Sequence, residues 1–185
     1  MSRPSLVIVL AEDDRHKSFT YRFLIKCGLE NHQIRIQLSP SGRGSAESWV
    51  REKFVQETIA YRSRQARAHT ALIVLIDADT STVQHRLNQL DQSLRDGKHQ
   101  IVGGTERIAR LVPKRNVETW ILCLNGQDVD EQTDYKNTRD SDNWNELIPQ
   151  AAETLYQSTP LNTDLPNHFV GSLRAGIREL KRLKS

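Results

Sequence analysis

Two uninterrupted runs of apolar residues are the clearest pattern along the chain. They are Leu6-Val-Ile-Val-Leu10 and Ala71-Leu-Ile-Val-Leu-Ile76. Runs of this length that are rich in β-branched residues are typical of strands buried on both faces of a sheet. Residues 34–38 alternate apolar and polar positions, which predicts a strand nearer the sheet edge, and residues 107–112 predict a fourth strand.

Segments with apolar residues at helical spacing separate these strands. Helices are predicted from Asp13 or Asp14 to Gly28, from near Ser45, over 83–94 with Ser81 or Thr82 near its N-cap, and over about 116–124, with two more at 143–158 and 167–183. The polar region 127–142 is predicted to be a loop. Because strands alternate with helices, right-handed crossovers imply a parallel sheet.

The pattern therefore predicts an α/β fold with about four mainly parallel strands, flanking helices and a C-terminal helical extension. A chain of 185 residues suits one domain. We expect an α/β core over 1–126 and a loop with helices over 127–185 that pack on this core. In the second helix, we expect Trp49, Val50, Phe54 and Ile59 to face inward.

The composition and the start of the chain indicate a cytoplasmic protein. The apolar run near the start ends after Ala11, too early for a signal peptide or a membrane span, so no membrane partner is expected. Cys27 and Cys123 lack the spacing of a zinc site and fit small core residues in a reducing compartment. The net charge of +3 is compatible with nucleic acid but argues for it only weakly.

Acidic residues follow the two buried strands. Glu12 comes after the first strand, and Asp77 and Asp79 come directly after the third. The carboxyl ends of parallel strands meet at one edge of a sheet, where ligands normally bind. Three carboxylates at this edge would repel one another, and hard oxygen ligands suit Mg²⁺ or Mn²⁺, so the sequence predicts a metal site. The alternative is that each Asp only caps the following helix.

Glu12 and the Asp77-Ala-Asp79 motif resemble the Toprim superfamily of topoisomerases, bacterial primases and OLD-type nucleases. The resemblance covers about residues 5–125. It implies that Glu12 acts as a general acid or base, or as a further metal ligand, and that the two aspartates hold Mg²⁺. Many members have Gly after the glutamate, whereas this chain has Asp13.

A second motif, Pro113-Lys-Arg-Asn-Val-Glu-Thr-Trp120, resembles a stretch of small Toprim-like proteins. Placed after the fourth strand, Lys114 and Arg115 are predicted to stabilise phosphate charge, which makes them catalytic candidates beside Glu12. Glu118 is a candidate further metal ligand. The alternative is that Glu118 only favours the start of a helix and that Trp120 lies in the core.

A turn-rich loop before the second helix is a candidate phosphate site. The residues proposed to bind phosphate or nucleic acid are Ser41, Gly42, Arg43, Gly44, Ser45 and Arg51. No Gly-Lys-Ser/Thr closes the loop, so it is not a Walker A motif. A loop that only reverses the chain explains it equally well. His16, the histidine nearest the acidic turn, is interpreted as a surface residue.

These features favour metal-dependent phosphodiester hydrolysis of nucleic acid, DNA or RNA, with Mg²⁺ or Mn²⁺ as cofactor. A role in phage defence is suggested by the resemblance to OLD-type nucleases. The main alternative is a non-catalytic Toprim-like module that binds nucleic acid or a partner protein. The run from Leu6 to Asp14 also resembles a phosphoacceptor receiver domain, and Asp77-Ala-Asp79 resembles the metal motif of glycosyltransferases, but neither resemblance accounts for all three carboxylates.

Overall fold

A four-stranded, all-parallel sheet forms the centre of the molecule. The computed structural model describes residues 4–41, 44–65, 68–138 and 143–183. The strands are β1 (Leu6–Ala11), β2 (Ile34–Leu38), β3 (Thr70–Leu75) and β4 (Ile108–Leu111), in the spatial order β2-β1-β3-β4. The predicted α/β class with a parallel sheet is confirmed. We call the edge at the carboxyl ends of the strands the rim.

Helices connect the strands and continue after the last one. They are α1 (Asp14–Lys26), α2 (Ala46–Arg64), α3 (Val83–Asp96), α4 (Val117–Leu124), α5 (Tyr135–Thr138), α6 (Trp144–Ser158) and α7 (Gly171–Arg182), with a 3₁₀ turn at Asn31–Gln33. The short helix α5 lies where the sequence predicted only loop, so that prediction was wrong for 135–138. Asp130 caps the turn before it by accepting hydrogen bonds from the backbone of Gln132 and Thr133.

Right-handed crossovers distribute the helices over both faces of the sheet. The chain moves from β1 to β2 in one direction and then returns past β1 to β3 and β4 in the other. The first crossover therefore lies on the opposite face from the next two. Accordingly, α2 and α3 cover one face, on Ile8, Leu10 and Leu72, while α1, α4, α6 and α7 cover the other.

Side-chain caps define where the connecting helices begin. Asp13, Ser45, Thr82 and Asn116 each accept a hydrogen bond from the backbone of the first turn that follows, as expected for Asp, Ser, Thr and Asn before a helix. Each of these caps lies between the carboxyl end of a strand and the helix that follows it. They therefore fix where the first turns of α1, α3 and α4 lie relative to the rim.

One predicted core position in α2 was wrong. Val50 and Phe54 are buried as expected, but Ile59 is 40% exposed. Thr58 and Tyr61 occupy the inward face instead. Successive helical residues are separated by about 100°, so the stripe that runs through Val50, Phe54, Thr58 and Tyr61 turns Ile59 toward solvent.

The C-terminal helices pack on the α/β core. Helix α6 lies against α1 and α4, and α7 lies against β4. Trp120 of α4 is fully buried and donates a hydrogen bond from Nε1 to Ser172 Oγ of α7 at 2.8 Å. The alternative interpretation, in which Trp120 lies in the core, is confirmed for this residue. None of the helices in the described part of the chain is long and apolar enough to span a membrane.

We predict that Gly176→Ala destabilises the protein because α7 approaches the Trp120 ring too closely for a Cβ atom. The added methyl would overlap the ring, lying 2.9 Å from Cζ3. Overpacking of this kind costs about 1–3 kcal/mol, only partly offset by the roughly 1 kcal/mol by which Ala is favoured over Gly in a helix. Urea unfolding should show the loss. Gly104→Ala, where the new Cβ meets nothing within 4 Å, is the control.

Candidate functional site

The sheet order places Glu12 and Asp77 at the point between β1 and β3 where the crossovers change direction along the sheet. Connections leave β1 toward β2 on one side, whereas β3 lies on the other side of β1. Ligands of open α/β sheets bind outside the carboxyl ends of the strands at such a switch point. Glu12 Oε1 accepts a hydrogen bond from the backbone N–H of Asp77 at 2.8 Å. The structure therefore brings together two of the three predicted acidic residues in direct contact.

Negative charge accumulates at this contact. Burial, reinforced by the neighbouring charge of Asp77, raises the pKa of Glu12 to about 7. Burial and the charge of Asp77 also raise the pKa of Asp79. A carboxyl pKa raised this far is unusual, and such shifts are frequent at functional sites.

A buried histidine connects the turn after β1 with the turn after β3. His16 Nδ1 lies 2.7 Å from Asp13 Oδ1, and Nε2 lies 3.0 Å from Asp77 Oδ1. The interpretation of His16 as a surface residue was wrong, because its ring is almost completely buried. Burial lowers the pKa of His16, but the charge of Asp77 and the hydrogen bonds to both carboxylates outweigh it and raise that pKa well above 6.5.

Asp13 caps α1 and orients this histidine. Its backbone is extended, at φ −145° and ψ 179°, and its side chain accepts hydrogen bonds from the N–H groups of Arg15 and His16. Burial raises the pKa of Asp13, but the hydrogen bond and the charge of His16 hold it well below its ordinary value. An extended backbone does not require glycine, and the side chain of Asp13 serves at this position as the helix cap.

A buried arginine, Arg86 of α3, holds the Asp77-Ala-Asp79 turn. Its Nε donates to the carbonyl oxygen of Asp77 at 2.9 Å, and its Nη2 lies 3.5 Å from Asp79 Oδ2. Nη1 bonds Glu47 in the first turn of α2 and Gln89 Oε1. Asp79 has a positive φ of 53°, which is uncommon for a residue other than glycine. Arg86 therefore supports a backbone turn that has an intrinsic cost.

Glu118 is buried beside this cluster and has an oxygen without a partner. Its side chain is 1% exposed and pairs with Arg15, whose guanidinium lies 4.4 Å from the centroid of the Trp144 ring. Within the described residues, Oε2 of Glu118 makes no hydrogen bond. Burial raises the pKa of Glu118, Arg15 opposes this rise, and the charge of Asp77 adds to it. Glu118 thus belongs to the same electrostatic neighbourhood as Asp77.

Three basic side chains lie on or near the rim. Lys114 Nζ donates to the carbonyl oxygen of Ser81 at 2.8 Å, just before α3. Arg115 Nη2 lies 3.4 Å from Asp134 Oδ2, and the charge of Arg115 acts to lower the pKa of Asp79. Lys136 Nζ lies 3.0 Å from Asp13 Oδ2. Lys114 and Arg115 were predicted from the sequence, whereas Lys136 was not.

At the end of the candidate phosphate loop, the described residues have structural roles at the start of α2. Gly42 and Arg43 lie outside the described residues. Ser41 is exposed, Gly44 has φ 66°, and Ser45 caps α2 by accepting from Ser48 N at 3.2 Å. Arg51 pairs with Glu47 one turn earlier. Since Glu47 also binds Arg86, the start of α2 is connected to the acidic turn.

The donor chemistry is compatible with a hydrated divalent ion at Glu12 and Asp77. Among the residues that the structure describes, no group of three or more His, Cys, Asp or Glu side chains is arranged to hold a metal. Mg²⁺, however, is usually bound through one or two carboxylates together with waters and substrate phosphates. Burial and the charge of Asp77 raise the pKa of Glu12, and Oε2 of Glu118 has no hydrogen-bond partner among the described residues, so a nearby cation would favour the charged form of both groups.

We predict that Glu12→Gln and His16→Gln flatten the pH dependence of stability in two different windows. Both folded-state pKa values lie above the ordinary values, so both groups bind more protons in the folded state and their contributions are lost as pH rises. For Glu12 this loss falls between pH 4.5 and about 7, and for His16 it begins near pH 6.5 and continues upward.

Urea unfolding at a series of pH values tests this expectation. His32→Gln is the matched control, because His32 is exposed and lies outside the rim. If the Glu12 and His16 variants give the same pH curve as the wild type, the two groups are not coupled to folding in the way that the structure indicates.

Comparisons of the chain with family models, with curated proteins and with solved structures found no match.

Proposed function

We propose that the protein hydrolyses phosphodiester bonds of nucleic acid at the rim, with Mg²⁺ or Mn²⁺ as cofactor. The observation that carries this proposal is the contact between Glu12 and Asp77 at the switch point of a parallel sheet. These carboxyl groups come from turns after adjacent buried strands, and burial together with the charge of Asp77 raises the pKa of Glu12 to about 7. The resemblance of Glu12 and Asp77-Ala-Asp79 to Toprim enzymes supports the same chemistry.

Glu12 is the proposed proton acceptor for the attacking water. A general base is most effective when its pKa lies near the working pH, and the value of about 7 meets this condition. The N–H of Asp77 fixes one carboxylate oxygen of Glu12, which leaves the other oxygen to receive the proton. His16 bonds one oxygen of Asp77 and so orients that carboxylate in a similar way.

Asp77 is the proposed protein ligand of the ion, with Asp79 and Glu118 near it, while Glu12 accepts the proton. When bound, the ion supplies Lewis-acid polarisation of the phosphate and makes a bound water more acidic. Arg86 keeps the Asp77-Ala-Asp79 turn in position through the carbonyl oxygen of Asp77. Arg115 is the proposed partner of the charge that develops on the phosphate, since it lies close enough to Asp79 to affect its pKa.

A non-catalytic module that binds nucleic acid or a partner protein is the second candidate. The observation that favours it is the pairing of Asp77, Asp79, Glu118 and Asp13, although not of Glu12, with cations from the chain itself. His16 bonds Asp77, Arg86 approaches Asp79, Arg15 pairs with Glu118, and Lys136 pairs with Asp13. Such pairs neutralise the rim without a metal and would allow it to serve as a binding surface only.

We predict Mn²⁺- or Mg²⁺-dependent cleavage of nucleic acid that is lost in Asp77→Asn and in Glu12→Gln. Both substitutions keep the size of the side chain while removing charge, so the loss should reach at least about 100-fold, as for removal of a general base. Single-stranded and duplex DNA and RNA are incubated with each ion and with EDTA. Asp14→Asn, at an exposed carboxylate in the first turn of α1, is the control.

Cleavage that survives in both variants would locate the chemistry elsewhere. Binding to the same substrates in EDTA, with no cleavage of any of them in either metal, would instead favour the non-catalytic module. Circular dichroism spectra of the variants establish that a loss of cleavage does not come from loss of the fold.

We predict that Arg115→Ala lowers kcat more than it weakens substrate binding. A group that meets charge developing in the transition state contributes little to the ground state, so KM should change little. Lys114→Ala should act more weakly, because Lys114 Nζ is held by the Ser81 carbonyl at 2.8 Å, whereas Arg115 Nη2 lies 3.4 Å from its partner Asp134. Steady-state kinetics measure both effects, with Arg35→Ala on the edge strand β2 as the control. A rise in KM at constant kcat would assign Arg115 to binding alone.

A further inference from the structure

The polypeptide between α4 and α6 is fixed across the rim at three points. We call residues 127–138 the rim segment. Glu131 Oε1 accepts from Ser172 N of α7 at 2.8 Å, and Asp134 Oδ1 accepts from Asn116 Nδ2, at the start of α4, at 2.8 Å. Lys136 Nζ then reaches Asp13 after β1 at 3.0 Å. The rim segment therefore extends from the start of α4 to the turn that carries Glu12.

Lys136 is the most accessible of the cations that contact the acidic groups of the rim in the described part of the chain. Its side chain is 50% exposed, compared with 7% for Arg86 and 1% for His16. Its Nζ has one hydrogen-bond partner among the described residues, although an ammonium group has three donors. An incoming anion can therefore reach Lys136 without breaking a buried network.

Asp13 does not need Lys136 for its structural role. Asp13 Oδ1 accepts from Arg15 N, from His16 N and from the His16 ring, and these bonds complete the cap of α1. Lys136 uses the other oxygen. An ion pair as exposed as this one contributes about 1 kcal/mol or less to stability. The folded state therefore provides little reason for a lysine at this position.

The charge of Lys136 acts on carboxylates from three different parts of the rim. Burial lowers its pKa, but the bond to Asp13 and the charges of Glu118 and Asp77 raise it by more. In turn, Lys136 is one of the cations that lower the pKa of Asp79. Its ammonium group thus contacts the turn that carries Glu12 and acts electrostatically on Glu118, Asp77 and Asp79.

We propose that Lys136 binds a phosphate of the nucleic acid strand that enters the rim, and that the rim segment forms one wall of the substrate cleft. This inference takes its substrate class from the proposed function. Lysine suits this task, since its ammonium is a point charge on a flexible stem and does not demand bidentate geometry. Lys114 and Arg115 follow β4, whereas Lys136 contacts the turn after β1. The basic side chains therefore contact two different parts of the rim.

The test measures binding of short fluorescent single-stranded DNA and RNA in EDTA at several salt concentrations. The variants are Lys136→Ala, Lys136→Gln and Lys136→Arg. Lys17→Ala is the matched control, because Lys17 is 49% exposed and pairs with Asp14 of the same helix. Loss of one phosphate contact should reduce the log–log salt slope by about 0.7 for a single strand. The arginine variant and the control should keep the wild-type slope.

Thermal unfolding separates this role from a structural one. Since the ion pair contributes about 1 kcal/mol or less, the melting temperature of Lys136→Ala should fall by no more than about 4 °C. A larger fall with an unchanged salt slope would overturn the inference. So would equal salt slopes for the Lys136→Ala, Lys17→Ala and wild-type proteins, or a wild-type protein that binds neither DNA nor RNA.

The inference and the proposed function fail in different ways. A reduced salt slope in Lys136→Ala, with no metal-dependent cleavage by the wild type, supports the phosphate contact and overturns the nuclease proposal. Metal-dependent cleavage by the wild type, with slope and KM unchanged in Lys136→Ala, overturns the phosphate contact and leaves the nuclease proposal in place.

Discussion

The pairing of β1 with β3 determines most of what is distinctive in this structure. Ala11 pairs with Leu75, so the two strands end at the same level and Glu12 meets the backbone of Asp77. Both strands lie inside the sheet and are buried on both faces, so their acidic turns lie close to an apolar core. Carboxylates in such a place are costly unless cations or protons accompany them. The helices that follow the two strands supply those cations, His16 from α1 and Arg86 from α3.

The helices and strands were predictable because each has a characteristic pattern of apolar residues within its own sequence. The buried strands appear as apolar runs, and the caps at Asp13 and Thr82 stand directly before the helices that they begin. The position of His16 could also have been inferred, since a residue three positions after an N-cap lies next to it in the first turn. Arg86 lies three residues after Val83 and four before Leu90. This spacing places Arg86 on the same face of α3 as these two apolar residues.

The partners of these polar groups were not predictable from local sequence. His16 bonds Asp77 across 61 positions, Arg86 binds Glu47 across 39, and Lys136 reaches Asp13 across 123. Hydrophobic periodicity reports which face of an element is buried, but it carries no information about which distant charge lies opposite. The same limit explains the error at Ile59, where packing at the end of a long helix selected the stripe that includes Thr58 and Tyr61.

The link between α4 and α7 has a consequence for the order in which the rim is completed during synthesis. Trp120 and Glu131 both bind Ser172, and the ring of Trp120 rests on Gly176. Helix α7 leaves the ribosome after every other helix and strand described. Until then, Trp120 lacks its partner, and the backbone between α4 and α6 lacks one of its three anchors. The contacts that anchor residues 127–138 can therefore be complete only when residues 171–182 have been made.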